Sequence, residues 1–309
     1  MNFVLNLQED NIKRIVTFYS DYKKISNNEH IRFFAKTDFV SISVYKTGKV
    51  MFQGEDSQQE YDMWKIMLNY EETPNKVNKV IKKASPSDYF YPSIGSDEVG
   101  TGDFFGPITV CAAYLSKEDV AFVSGLGIDD SKKIKDEKIL IIGEQLKDRI
   151  KYSLLTLHNE KYNDLVNRGF NMNKMKAYLH NKAIINLLGK INGTPEVIID
   201  QFAEEKLYFR YLSDETKVYR NVTLTTKAES KYASVAIGSI IARYAFLKHF
   251  DNLSKEAGYH LPKGASAEVD KVAARIIKDK GVNYLNSYAK MNFKTLDKAK
   301  TICENLMKR

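Results

Sequence analysis

The sequence predicts an α/β domain preceded by a smaller α+β unit, and three observations support this. Beyond residue 93, short apolar runs ending in acids alternate with helical patterns. Ile94 leads into Asp97-Glu98, and Val197-Ile198-Ile199 leads into Asp200. A stretch at 71–92 rich in Pro, Ser, Asn and Lys has little apolar content and separates this region from what precedes it. Finally, 309 residues, 43% hydrophobic and 12% aromatic, are long for one core and comfortable for two. The expected organisation is an N-terminal domain at 1–70, a linker at 71–92 and a larger domain at 93–309.

In the first unit a short strand is expected at Phe3 to Leu7 and a helix from Asn11 to Tyr22, followed by an apolar patch at Ile31, Phe33 and Phe34. Phe39 to Tyr45 alternates as a strand should, and Lys46-Thr47-Gly48-Lys49 turns it into Val50 to Gln53, a hairpin. That alternation puts Val40, Ile42 and Val44 on one face, with Phe39, Ser41, Ser43 and Tyr45 on a polar and aromatic one. Tyr61, Trp64, Met67 and Leu68 recur at helical spacing between Ser57 and Tyr70 and are expected in the core.

The larger domain is organised around Ser93 to Pro107, where Asp97 and Glu98 sit in a frame of glycines before the apolar run Ile108 to Leu115. Neighbouring strand residues point to opposite faces, so both carboxylates reach one site only where the strand ends or bulges; Gly95, Gly100 and Gly102 permit that. An isolated Asp-Glu pair is more often a plain polar turn, so its weight comes from context. Asp130-Ser131-Lys132-Lys133 precedes an amphipathic helix from Lys135 to Ile150. A strand at Tyr152 to Leu157, a helical turn at Lys161 to Arg168 and a core-covering helix at Asn173 to Leu188 follow. Asp200 closes a short buried strand, the place where open α/β sheets bind ligands. A strand at Val222 to Glu229 runs into a helix whose Ala233, Ala236, Ser239 and Ala242 allow close packing, which leaves Glu229 at the junction.

Composition narrows the chemistry. Cys111 and Cys303 form no CxxC pattern, and His30, His158, His180, His249 and His260 form no HxH or HxxxH pair, so a zinc site is not expected. No apolar run approaches the roughly 20 residues of a membrane span, and no secretion signal is visible, so a cytoplasmic protein without membrane association is expected. Formal net charge is +8, and residues 230–309 hold 15 basic against 7 acidic side chains. A basic region beside an acidic centre suits a polyanion gripped by Lys and Arg while chemistry occurs at carboxylates, although a Lys-rich solvated surface explains charge alone as well.

The residues Gly95-Ser96-Asp97-Glu98-Val99-Gly100-Thr101-Gly102 with Phe105-Gly106-Pro107, Asp130-Ser131-Lys132-Lys133, Ile199-Asp200 and Lys227-Ala228-Glu229-Ser230-Lys231-Tyr232 resemble the type 2 ribonucleases H, and most closely ribonuclease HIII. The resemblance spans roughly residues 93 to 245. It implies a ribonuclease H-like α/β domain, and the N-terminal unit is similar to a TATA-binding-protein-like domain that binds substrate. It places the family's four metal-site acids, which are also its catalytic residues, on Asp97, Glu98, Asp200 and Glu229. Thr101 between the glycines and Glu at 229 depart from the ribonuclease HII pattern of Arg and Asp, and both point towards ribonuclease HIII.

The function so implied is endonucleolytic hydrolysis of the RNA strand of RNA–DNA hybrids by a monomer, giving 5′-phosphate and 3′-hydroxyl ends. Four oxygen donors suit Mg²⁺ or Mn²⁺. Two such ions roughly 3.5–4 Å apart activate water and stabilise the leaving oxygen. Telling RNA from DNA requires reading the 2′-hydroxyl, for which the backbone at Gly100, Thr101 and Gly102 and the hydroxyls of Ser96 and Thr101 are candidates. Lys132, Lys133, Lys227 and Lys231 are candidates for phosphate contacts. Ribonuclease HII-like cutting at single embedded ribonucleotides and a non-catalytic nucleic-acid-binding protein are the alternatives.

Overall fold

The β-branched and aromatic residues of the first unit alternate because its strands lie half-buried over two helices. The computed structural model describes residues 2–37, 40–54, 57–68, 70, 89–128 and 134–307. The chain divides into two compact units, Met1–Ile81 and Lys82–Arg309. Most of the expected linker, 71–88, lies outside the described residues, as do Phe39, Lys132 and Lys133.

The first unit is one antiparallel sheet in the order β1-β5-β4-β3-β2. Its strands are β1 (Asn2–Asn6), β2 (Lys23–Lys24), β3 (Ile31–Lys36), β4 (Val40–Tyr45) and β5 (Lys49–Gly54). Helices α1 (Glu9–Phe18) and α2 (Ser57–Met67) cover one face. Val40, Ile42 and Val44 pack there with Leu5, Phe52, Ile12, Ile15 and Trp64, as their alternation predicts. The patch at Ile31 to Phe34 is strand β3, with a register shift between Ile31 and Phe33 that absorbs Arg32. The first helix ends at Phe18, and a 3-10 turn occupies Ser20–Tyr22. Met67, expected in the core, is 44% exposed as the last residue of α2, where its carbonyl accepts from Arg14 of α1 at 3.2 Å.

The second unit holds a mixed sheet in the order β10-β9-β6-β7-β8. Strand β6 (Ser93–Val99) lies at its centre, antiparallel to β7 (Ile108–Leu115) and parallel to β9 (Val197–Asp200). Beyond them lie β8 (Lys151–Leu157), antiparallel to β7, and β10 (Val222–Thr225), parallel to β9. The order reverses at β6, so the carboxyl ends of β6 and β9 open a crevice, the usual ligand position in such sheets. Helices α3 (Val120–Ser124), α4 (Asp136–Arg149), α5 (Asn159–Asn167), α6 (Met172–Leu188) and α7 (Glu205–Tyr211) surround the sheet. The 25-residue α8 (Ala233–Ala257) crosses it, and α9 (Ala267–Lys280) and α10 (Lys294–Met307) end the chain. Among the described residues no helix is long and apolar enough to cross a membrane.

The sheet is buried on both faces. Cys111, Ala113 and Leu115 pack against Ile139, Ile142 and Leu146 of α4 and Ala236, Ile237 and Ile240 of α8. Ile94, Val110 and Ala112 pack against Met175, Ala177 and Ile184 of α6 on the opposite face. The basic C-terminal region has its own core. Phe104 and Phe105 from the glycine-framed loop insert among Phe246, Phe250, Val269, Leu285 and Leu296.

Helix α8 approaches β6 more closely than any ordinary side chain allows. A Cβ on Gly95 would fall 2.1 Å from the Val235 nitrogen and 2.2 Å from the Ser234 carbonyl carbon. Gly238 answers from the helix side, where a Cβ would lie 3.0 Å from the Cys111 oxygen and 3.2 Å from that of Gly95. Gly95→Ala therefore has to push two backbones apart, and we expect a loss of roughly 2–4 kcal/mol in urea unfolding. A wild-type midpoint would show that the helix and strand do not meet in this way.

Candidate active site

Three positions of β6 and one of β9 open onto a cleft of about 460 Å³, lined by Asp97, Glu98, Val99, Gly100, Thr101, Gly102, Asp103, Asp200, Ser239 and Arg243. The β6–β7 register is unbroken from Ser93 to Val99, so no bulge turns the two acids together. Asp97 faces α8 and Glu98 faces α6, and the end of the strand brings both to the cleft.

Asp97 is 7% exposed and keeps little solvation. Its Oδ1 accepts from the Glu98 backbone N–H at 2.8 Å, and Ser239 of α8 donates to its carboxylate. Burial first, then the charges of Glu98 and Asp200, push its carboxyl up to about 8. The β6–β9 register pairs Ser96 with Ile199, so the next step along both strands sets Asp97 beside Asp200. Asp200 uses Oδ1 to accept the Ala228 N–H at 2.9 Å, which anchors the following turn.

Glu98 is held from α6. Lys176 Nζ contacts Oε1 and His180 Nε2 lies 2.9 Å from Oε2. Burial would raise this carboxyl, but His180 and Lys176 together hold it below the ordinary Glu range. Among the described residues no three His, Cys, Asp or Glu side chains converge to hold one ion in this arrangement, in keeping with the turn of Glu98 towards α6. The donor chemistry nevertheless fits a hard divalent cation: acidic oxygens line one cleft, and burial together with the charges of Glu98 and Asp200 disfavours Asp97 as an anion there.

Glu229 is buried and lies in the 3-10 turn Ala228–Ser230 between β10 and α8, outside the lining of the cleft. The expected strand to Glu229 stops at Thr225. Asp200 captures the Ala228 N–H, and Lys227 takes a left-handed conformation, φ 53°. Lys231 Nζ donates to Thr225 Oγ1 at 3.0 Å and to the Thr226 carbonyl at 2.7 Å, so it ties the same turn together rather than reaching for phosphate. Lys227 is exposed.

Ser96 is fully buried, and its Oγ lies 2.7 Å from His180 Nδ1. It therefore serves that histidine and presents no hydroxyl to the cleft, a correction to the expected substrate contact. Gly100, Thr101 and Gly102 do line the cleft. Gly100 has φ +94°, and a Cβ there would meet the Pro107 oxygen at 2.2 Å, so only glycine makes this turn. Gly102 has open space where its Cβ would be.

Sequence reasoning missed the residues that brace the site: Lys176, His180, Ser239, Arg243 and Lys290. Lys290 is fully buried, with Nζ donating to the carbonyls of Asp103 at 2.7 Å and Gly106 at 2.6 Å. It pins the far side of the glycine-framed loop, at the expense of a burial that brings its ammonium down to about 7. Arg243 donates from Nε to Asp136 at 3.1 Å and from Nη1 to the Ile134 carbonyl at 2.9 Å, joining α8 to the start of α4. The only hint of the α6 pair was its i, i+4 spacing, shared by many surface residues.

A family model described as Ribonuclease HII matches residues 94–296, and one described as Domain of unknown function (DUF3378) matches residues 2–79. The chain is 44% identical over 309 residues to the ribonuclease HIII of Bacillus licheniformis, with 97% of each chain covered. To that of Bacillus velezensis it is 47% identical over 281 residues, 88% of each. It also resembles the crystal structure of Bst-RNase HIII in complex with Mn²⁺, at TM-score 0.69 and 37% identity over 99% of this chain and 100% of that one. Aquifex aeolicus RNase H3 matches with TM-score 0.54 and 25% identity over 94% of this chain and 100% of its own.

The raised carboxyl of Asp97 makes metal-free stability depend on pH. Its folded pKa lies above the unfolded value near 4, so its contribution is full below about pH 4 and is lost as pH rises through about 8. In chelator, Asp97→Asn should therefore gain stability over wild type between pH 5 and pH 8, on the order of 2–4 kcal/mol. Denaturant melts at the two pH values test this, and a gap that does not widen would contradict the strained-carboxylate picture.

Proposed function

The chain belongs to the ribonuclease HII family, alongside the ribonuclease HIII proteins, and on that basis we propose which of its residues carry the reaction. It is a metal-dependent endoribonuclease acting on RNA–DNA hybrids. The observation that supports the assignment best is that Asp97, Glu98 and Asp200 line one cleft at the carboxyl ends of two parallel strands, beside a glycine turn open to a backbone.

In this reading Asp97 and Asp200 would hold Mg²⁺ or Mn²⁺, Glu98 would complete the ligand set from the other face of β6, and Glu229 would support it from the turn that Asp200 anchors. A bound divalent cation supplies Lewis-acid activation of water and neutralises charge on the scissile phosphate. The protein's own groups set the rest of the site. Ser239 and the Glu98 N–H orient Asp97 by donating to its carboxylate. The backbone of Gly100, Thr101 and Gly102 approaches the RNA strand closely and reads the 2′-hydroxyl. Hydrolysis leaves 5′-phosphate and 3′-hydroxyl ends.

Lys227 and the segment containing Lys132 and Lys133 are proposed to meet phosphates, so binding should weaken with salt. The N-terminal unit is proposed to bind the hybrid through the sheet face that bears Phe34, Ser41, Tyr45 and Met51, opposite the face its helices cover. We place the enzyme in the cytoplasm, since RNA–DNA hybrids arise during transcription and replication inside the cell, and take a monomer as its working state.

Cleavage of two labelled duplexes tests the assignment: a continuous RNA–DNA hybrid and a DNA duplex with one embedded ribonucleotide, each with Mg²⁺ or Mn²⁺. The expected result is cutting of the hybrid alone, with at least about a thousandfold loss in Asp97→Asn and Asp200→Asn and hybrid binding retained. Turnover that survives either substitution refutes the ligand assignment, and cutting of the second duplex indicates ribonuclease HII-like specificity. Removing residues 1–85 should raise KM for the hybrid far more than it lowers kcat, whereas an unchanged KM would remove the N-terminal unit from substrate binding.

A further inference from the structure

We propose that Lys176 is an internal cation that holds Glu98 in the metal-free enzyme and competes with the divalent ion for that carboxylate. This rests on the reading of Glu98 as a metal ligand given above. Both oxygens of Glu98 are occupied, Oε1 by the Lys176 ammonium and Oε2 by His180 at 2.9 Å. The two partners lie one turn apart on α6, and the side chains of Lys176, His180 and Glu98 are 10%, 0% and 11% exposed. The contact is thus shielded from water, where a charge pair is far stronger than at the surface.

The two partners differ in their freedom. His180 is fixed from three directions: Nε2 on Glu98, Nδ1 on Ser96 Oγ at 2.7 Å, and its ring stacked on Phe202 at 5.3 Å with an 18° tilt. Lys176 has one carboxylate oxygen and, at 4.3 Å, the same Phe202 ring. Its ammonium stands at the end of four rotatable carbons and can swing away while the aromatic face still stabilises it. An ion entering the cleft therefore finds His180 as a fixed orienter and Lys176 as the movable occupant. The Phe202 contact ties this exchange to the loop that follows Asp200, the acid on the other side of the cleft.

Competition and simple orientation predict opposite signs. If Lys176 only orients Glu98, its removal loosens a ligand and weakens metal binding; if it competes, removal strengthens it. The test is a Mn²⁺ titration of the full chain without nucleic acid, followed by calorimetry and by the spin-resonance signal of free Mn²⁺. Lys176→Met keeps the stem that lies on Phe202 and should lower the Mn²⁺ dissociation constant at least about fivefold, the lower end of ordinary site-to-site coupling. Lys176→Arg keeps the charge and should stay within about twofold of wild type. Lys176→Gln serves if the Met variant does not fold, as judged by circular dichroism in chelator.

An unchanged or weaker Mn²⁺ affinity in Lys176→Met or Lys176→Gln overturns the proposal, as does equal tightening in Lys176→Arg. Glu98→Gln separates this from the underlying reading. If it leaves Mn²⁺ binding unchanged, Glu98 is not a ligand and the competition has no object. If it weakens binding while Lys176→Met does not tighten it, the ligand reading stands and the proposal falls.

Discussion

The packing of α8 on β6 through Gly95 and Gly238 is the constraint on which the rest of the catalytic unit depends. With no Cβ at either position, helix and strand backbones come within contact distance, and everything downstream is measured from that contact. Ser239, next to Gly238, thereby reaches Asp97, and Arg243, one turn further on, reaches the cleft wall and the start of α4. The turn before the helix must be equally tight. Asp200 secures it at Ala228, and Lys231 laces it back to Thr225 and Thr226.

Such a frame can carry a dense set of acids because each is compensated differently. Asp97 takes a hydroxyl and a backbone N–H but no cation, and it stays reluctant to ionise. Glu98 takes an ammonium and an imidazole and ionises readily. Asp200 takes a backbone N–H. Two neighbouring carboxylates on one strand are thus pushed in opposite directions: Asp97 is raised by burial and by the charges of Glu98 and Asp200, while Glu98, which faces the helix bearing Lys176 and His180, is lowered. On the substrate side, a buried Lys290 gathers the carbonyls of Asp103 and Gly106, while Gly264 N–H donates to Asp103 Oδ1 at 2.6 Å. The segments that connect the basic C-terminal helices therefore contribute to the site by holding its glycine-framed loop, in addition to any contact with phosphate.

Much of this was legible because period-2 and period-3.6 patterns survive in strands and helices buried on one face or both. Val40, Ile42 and Val44, the run Ile108 to Leu115, and Val197 to Asp200 are where their patterns predict. The misreadings share a cause. The pattern through Val222 predicts a strand as far as Glu229, but a side chain from another strand takes the Ala228 N–H and ends it. Ser96 looks available for substrate because its neighbours are, yet strand alternation turns it to His180. His180 itself looks incidental in the sequence, since its partners lie 82 and 84 positions away.

By itself, the sequence determined the two-unit organisation, the position of the main strands and the requirement for glycine around Asp97-Glu98, and its residue chemistry raised the expectation of oxygen donors for a metal. These follow from local sterics, hydrophobic period and residue chemistry, which neighbours in sequence already express. Only the tertiary structure decided which face of β6 each acid addresses, that Lys176 and His180 claim Glu98, that Ser239 claims Asp97, and that Lys290 fastens the glycine loop. Those are pairings between charges and dipoles far apart in the chain. Their strength depends on burial and on distances of a few ångströms, quantities that exist only once α6 and α8 have closed on opposite faces of the sheet.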